Sequence, residues 1–119
     1  MTGAGGYIGS ALVKAIAAAA RSRLVLLDSC EQNLFEISRE VPGEAVLGSV
    51  TDALLLDDIF QRFRPRIVYH AAAFKHVPLL EQNPFAAIHN NAIGTYTLAR
   101  TLLRHGPSRM VLVLSLIHI

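Results

Sequence analysis

A chain of 119 residues has room for one domain and not two. Its 52% hydrophobic and 17% charged residues are those of an ordinary globular α/β protein. The formal charge of +2 comes from Lys and Arg scattered through helical positions without a basic run, which argues against a nucleic-acid partner. No stretch reaches the roughly 18 apolar residues of a membrane span, so no membrane contact is expected from this segment. A single cysteine, Cys30, excludes an internal disulfide and suits a reducing cytoplasm.

Met1-Thr2 leads into the glycine-rich turn Gly3-Ala4-Gly5-Gly6, and Tyr7 to Ala20 then reads as a helix with Ile8, Leu12, Ile16 and Ala19 on one face. Arg23 to Asp28 is a short buried strand. Gln32 to Val41 is helical, with Leu34, Ile37 and Val41 along one side, and Pro42-Gly43 ends it. A strand over Ala45 to Leu47 follows. Thr51 is the expected N-cap of a helix over Asp52 to Phe63, whose acidic start suits the positive end of the helix dipole. Pro65 closes that helix, and Arg66 to His70 is the next strand. Asn83-Pro84 opens a long helix to about Arg104. His105-Gly106-Pro107 stops it, and Met110 to Val113 begins a last strand.

This alternation predicts an α/β fold: a Rossmann-type, doubly wound parallel sheet, because right-handed crossovers then place helices on both faces. The sheet is expected to be incomplete. A phosphate-binding turn joins a strand to a helix, and the strand before this one, central in the doubly wound order, is reduced to Met1-Thr2. The neighbouring strands are therefore expected to lose a common partner, leaving backbone groups unpaired and the isolated chain poorly soluble or partly molten.

The chemistry concentrates in Thr2-Gly3-Ala4-Gly5-Gly6-Tyr7-Ile8-Gly9. Gly3 permits a tight turn. Gly5 and Gly6 let the backbone approach a pyrophosphate, and Gly9 lets the helix pack close to the sheet, its N-terminus facing the phosphate charge. Asp28 stands at the end of the following strand, where a carboxylate accepts from both adenosine ribose hydroxyls and repels a 2′-phosphate, favouring NAD over NADP. A turn-capping role for Asp28 is the alternative. The histidines show no metal-ligand spacing, so no metal is expected, and Cys30 is read as a small packed residue without a base partner.

Thr2 to Gly9 resembles the Thr-Gly-x-x-Gly-x-x-Gly pattern of the extended short-chain dehydrogenase/reductases. His70-Ala71-Ala72-Ala73-Phe74-Lys75-His76-Val77-Pro78-Leu79, with Glu81-Gln82-Asn83-Pro84, Asn91-Ala92-Ile93-Gly94-Thr95 and Leu26-Leu27-Asp28, is similar to their polysaccharide-biosynthesis branch. That branch includes UDP-N-acetylglucosamine 4,6-dehydratases and related epimerases of bacterial capsule and O-antigen pathways. The resemblance spans Met1 to Val113. It implies that Gly3, Gly6 and Gly9, with the backbone of Tyr7 and Ile8, hold the pyrophosphate. Asp28 takes the adenosine ribose, and Ser49-Val50 lies beside the adenine. Ala71, Ala72 and Ala73 line the cofactor, Lys75 reaches its ribose or phosphate, and Asn91 belongs to the same cofactor site. The family usually has Asp in place of Ser49, which implies weaker adenine recognition here. Lys75 as a plain surface lysine, and His76 as either a substrate contact or a loop residue, stay open.

The implied reaction oxidises carbon 4 of a UDP-linked N-acetyl sugar with NAD, loses water across carbons 5 and 6, and returns hydride at carbon 6. A 4-epimerase or a non-catalytic dinucleotide sensor on the same fold are the alternatives. The family's downstream Ser-Thr-Asp-Lys segment and Tyr- or Met-x-x-x-Lys helix do not occur in the chain, so the segment itself is expected to be inactive. The resemblance further implies a cytoplasmic, homo-oligomeric full-length enzyme, with an upstream membrane region in longer members. Residues 1–113 are read as the partial cofactor-binding domain. Leu114-Ser115-Leu116-Ile117-His118-Ile119 is read as a non-native tail resembling a translated sequencing adapter.

Overall fold

A computed structural model describes residues 1–106 and 109–114, so the expected stop at Pro107 and all of the tail but Leu114 lie outside the described residues. In chain order the elements are helix α1 (Tyr7–Ala19), strand β1 (Val25–Asp28), α2 (Glu31–Glu40), β2 (Glu44–Leu47), α3 (Ala53–Phe63), β3 (Ile67–His70), α4 (Val77–Gln82) and α5 (Pro84–Ala87). A π-helical turn (Ile88–Ile93), α6 (Gly94–His105) and β4 (Arg109–Leu112) complete them.

All strand pairing is parallel. β1 pairs with β2 in the register Leu26↔Ala45, and β3 with β4 in the register Val68↔Met110. Between the two pairs stands Thr2, which bridges both Leu27 and His70. The spatial order is therefore β2, β1, Thr2, β3, β4, the doubly wound arrangement.

The expected loss of a common neighbour is thus corrected along this short stretch. Leu27 N donates to Met1 O at 2.9 Å, Thr2 N to Tyr69 O at 2.9 Å and Ala71 N to Thr2 O at 3.1 Å. A ladder bond needs only one residue per rung, so a two-residue stub still joins the half-sheets. Beside Met1 lies an apolar cavity of about 40 Å³, lined by Val25, Leu27, Ile67 and Val68 from the flanking strands.

Two cores lie on opposite faces of the sheet. Successive residues of a strand point to opposite sides, so Leu26 joins Ala4, Val13, Leu34, Ile37 and Val41 under α1 and α2. Leu27 joins Val50, Leu56, Ile59, Phe60, Val68 and Leu98 under α3 and α6. The α3–α6 layer is pinned at its edge by Asp57, whose Oδ1 accepts from Arg104 and lies 2.9 Å from His105 Nε2.

Several expectations change in detail. The buried face of α1 is Gly9 and Val13, with Ala17 packed against the same core, whereas Ile8 is exposed. Small residues let the helix settle onto the glycine loop, and the larger Ile8 is pushed to the flank. The N-cap of α3 is Asp52, not Thr51: its carboxylate accepts from Leu55 N at 3.0 Å. Val77–Gln82 forms a short helix in a stretch to which the sequence pattern assigns no element, and the long helix after Pro84 passes through the π-helical turn. Asn83 provides no side-chain cap to α5; its amide donates back to Leu79 O at 2.9 Å.

Candidate functional site

The glycine loop folds as a tight turn with Gly3 at φ +66°, in the left-handed region that favours glycine. Gly6 N donates to Gly3 O at 3.2 Å, closing the turn. A Cβ on Gly9 would stand 1.7 Å from Gly3 O, so Gly9 is required by the loop itself rather than by the sheet. A Cβ on Gly5 would meet the Asn33 backbone at 2.5 Å; that glycine serves contact with α2, not approach of a ligand. Gly6 differs. Its added Cβ would meet nothing nearer than Gly3 O at 3.4 Å, and Gly6 lines a cavity.

α1 begins immediately after Gly6 with no side-chain cap. The amides of Tyr7, Ile8 and Gly9 have no hydrogen-bond acceptor among the described residues, and Ser10 N is the first to find one, Gly6 O at 2.8 Å. Three unspent N–H groups at the positive end of a helix, beside a glycine facing open space, form a cradle for an anion of phosphate type. The side chains of Tyr7 and Ile8 point to solvent, which leaves their backbone as the functional part.

Asp28 ends β1 at the rim of this cradle. Its Oδ2 accepts from Gly5 N at 2.8 Å and its Oδ1 from Cys30 N at 2.9 Å. The turn-capping role is therefore real, and it does not exhaust the carboxylate, whose oxygens hold about four lone-pair sites. Cys30 is exposed on this turn rather than packed, because the turn carries it out to the cavity mouth.

At the end of β2, Ser49 and Val50 form the next part of the wall. Ser49 Oγ accepts from Thr51 N at 3.1 Å and shares a 2.8 Å bond with Thr51 Oγ1, so its hydroxyl is largely committed to the turn before α3. At the end of β3, Ala71, Ala72 and Ala73 close the opposite wall.

These pieces meet around one cavity of about 230 Å³, lined by Gly3, Gly6, Asp28, Ser49, Val50 and Ala71 to Ala73, together with Asn33, Phe74 and Asn90. It sits at the carboxyl ends of β1, β2 and β3, around the central position of the sheet. A larger cavity of about 720 Å³ opens at the other end of the strands, beside Arg64, Arg66, Arg104 and His105. There α3 and α6 end, and basic residues complement their negative dipole ends.

Five expected residues fall outside the cavity lining, Tyr7 and Ile8 at the start of α1 among them. Gly9 is buried behind the loop. Lys75 sits beside the loop with Nζ 5.5 Å from the centre of the Tyr7 ring. Asn91 turns away: its Oδ1 accepts from Phe74 N at 2.8 Å and its Nδ2 donates to Phe74 O at 3.0 Å. Its neighbour Asn90 lines the cavity and donates to Asn91 Oδ1 at 2.9 Å. Sequence reasoning missed Asn33, Phe74 and Asn90. The last had a signal, being next to Asn91, but the π-helical turn that selects between the two leaves no mark in residue spacing.

The family described as "Polysaccharide biosynthesis protein" matches residues 1–115 of the chain. The chain belongs to that family, the polysaccharide-biosynthesis branch of the extended short-chain dehydrogenase/reductases. It is 36% identical over 123 residues to the "Probable polysaccharide biosynthesis protein EpsC" of Bacillus subtilis (strain 168), covering 97% of this chain and 21% of that one. It is 31% identical over 103 residues to a dTDP-glucose 4,6-dehydratase of Salmonella typhimurium, covering 82% of this chain and 28% of that one. Among solved structures, the Bordetella bronchiseptica enzyme WbmG in complex with NAD and UDP superposes with a TM-score of 0.80 at 27% identity, over 93% of this chain and 35% of that one. The chain thus spans between a fifth and about a third of the length of these relatives. Within the described residues, no helix of this family member is long and apolar enough to cross a membrane.

Proposed function

We propose that the chain is the dinucleotide-holding part of a nucleotide-sugar-modifying enzyme of bacterial polysaccharide biosynthesis, with NAD as its cofactor and a UDP-linked N-acetyl sugar as the substrate of the whole protein. One observation carries the reading: the uncapped start of α1, with free amides at Tyr7, Ile8 and Gly9, opens beside Gly6 onto a cavity whose far rim is the Asp28 carboxylate. Cation-like amide donors at one point and an anion at the next suit a pyrophosphate followed by a ribose diol.

In this reading Gly3 and Gly6 shape the phosphate turn, and the amides of Tyr7 to Gly9 donate to the phosphate oxygens. Asp28 is held in place by Gly5 and Cys30 and accepts from the ribose. Its charge disfavours a 2′-phosphate, so NAD is preferred to NADP. Ser49 and Val50 flank the adenine, and Ala71 to Ala73 leave room along the other wall. Lys75 moves from Tyr7 to the cofactor's ribose or phosphate, and Asn91 acts by holding the loop that carries it. When bound, the nicotinamide supplies reversible hydride acceptance. For the whole protein we favour 4,6-dehydration; 4-epimerisation uses the same cradle and separates from it by product.

Isothermal titration of the purified 119-residue chain with NAD and NADP tests this reading. We expect saturable NAD binding and NADP binding at least tenfold weaker. Asp28→Ala should abolish most of that difference. No saturable binding of either dinucleotide to the folded chain overturns it. No sugar turnover is expected from the 119 residues alone, which contain no Tyr-x-x-x-Lys pair.

A further inference from the structure

His70 is almost wholly buried at the end of β3, 2% exposed, between two threonines from distant parts of the chain. Their geometry sets the direction of every hydrogen bond in the group. Thr95 Oγ1 donates to Asn91 O at 2.7 Å, which spends its only proton. Toward His70 Nε2, 2.8 Å away, the same oxygen can only accept. The ring proton therefore resides on Nε2 and Nδ1 is bare. Thr2 Oγ1, 2.6 Å from Nδ1, is then the donor. Burial lowers the His70 pKa from 6.5, in keeping with a neutral ring.

Both ends of this relay reach a wall of the cavity. Thr2 immediately precedes Gly3, and its backbone is bonded to Tyr69 O and Ala71 N, the peptides on either side of His70. Thr95 bonds the backbone of Asn91, whose side chain grips Phe74 in the loop that follows Ala73. The contact between the walls is close: a Cβ on Gly3 would stand 2.6 Å from Ala71 O. A slip of either loop would have to break a bond of defined direction in the buried group.

We infer that His70 is a positioning residue: held as the Nε2–H tautomer by Thr2 and Thr95, it sets the register of the glycine loop against the Ala71–Lys75 loop, the two walls that close on a dinucleotide. The part of this inference that concerns dinucleotide affinity rests on the proposed function; the relay itself does not.

The test uses the 119-residue chain labelled with ¹⁵N, as wild type and as Thr95→Val, Thr95→Ser, Thr2→Val and Thr2→Ser. Imidazole ¹⁵N shifts report which ring nitrogen carries the proton, amide exchange at Ala71 and Phe74 reports the register, and NAD titration reports the site. The wild type should show Nε2–H. Thr95→Val removes the acceptor at Nε2, so the proton should move to Nδ1, with faster exchange at both amides and NAD binding weaker by roughly tenfold, the scale of one net hydrogen bond. Thr95→Ser should restore all three readings. Thr2→Val should loosen the same amides without moving the proton, and Thr2→Ser should restore them. If Thr95→Val fails to fold, the Thr2 pair carries the test from the other end. An unchanged tautomer in folded Thr95→Val, or a changed tautomer with unchanged exchange at Ala71 and Phe74, overturns the inference. If the exchange responds as expected but the wild type binds no NAD, the relay stands and the dinucleotide reading falls.

Discussion

Asn91 holds the backbone of Phe74 from both directions, accepting from its N–H at 2.8 Å and donating to its carbonyl at 3.0 Å. A primary amide presents a donor and an acceptor side by side, the pairing pattern of a peptide in a sheet, so one side chain does for this loop what a neighbouring strand does for β3. The grip explains how a residue outside the cavity lining still governs it. Replacing Asn91 by Leu should cost about 1 kcal/mol of stability, since the freed peptide lies at an exposed position where water replaces the lost bonds. NAD affinity should fall several-fold more than that loss alone accounts for, and Asn91→Asp, which keeps the acceptor and loses the donor, should fall between. Equal NAD titrations for wild type and Asn91→Leu would show that the grip does not shape the site.

Two glycines six and nine residues into the chain should fail in opposite ways. In Gly9→Ala the new methyl would sit 1.7 Å from a backbone oxygen, so the loop must open, and a loss of more than about 3 kcal/mol is expected. Gly6→Ala meets nothing closer than 3.4 Å, so its melting curve should stay within about 1 kcal/mol of wild type. Its methyl takes up space in the phosphate cradle, and NAD binding should drop at least tenfold. Urea melts and titrations of the two variants separate the roles. A Gly6→Ala chain that binds normally removes Gly6 from the site.

Ser49 spends its hydroxyl on Thr51 and has little left for a ligand. Aspartate at this position keeps an acceptor for Thr51 N and adds a charged oxygen for the adenine amino group. Ser49→Asp should therefore bind both NAD and AMP a few-fold more tightly. Unchanged affinity for both would place the adenine elsewhere.

Stability should depend on pH through two buried bases. Burial lowers the Met1 ammonium from 8.0 to about 6, although it donates to Val25 O at 2.9 Å, and it lowers His70 from 6.5. In both cases the unfolded chain binds protons more readily than the folded one, so stability rises with pH. The Met1 contribution is complete above pH 8 and is lost as the pH falls toward about 6, on the order of 3 kcal/mol in all. His70 adds a further loss below 6.5. Acetylation of Met1 should abolish the window between 6 and 8 and leave the lower one. Urea melts across pH 5.5 to 8.5 check this, and a flat profile for the free amine would count against the buried position of Met1.

The alternation of elements, the place of the glycine turn and the carboxylate beside it can be read from the chain without any coordinates. Those features depend on local rules: side-chain periodicity, glycine where a Cβ cannot go, and a carboxylate at a strand end. Gly3, Gly6 and Asp28 were legible from the glycine spacing and the carboxylate at a strand end, and Ser49, Val50 and Ala71 to Ala73 from the family resemblance; all of them line the cavity. Relations between residues far apart in the chain came only with the folded molecule. Spacing could not reveal that Thr2, His70 and Thr95 form one directed group, separated as they are by 68 and 25 positions. Nor could it show that the π-helical turn sends Asn91 to Phe74 and Asn90 to the cavity. Likewise, two residues at the N-terminus proved enough to join the half-sheets, because parallel hydrogen bonding asks for backbone groups in register and not for a strand of any set length.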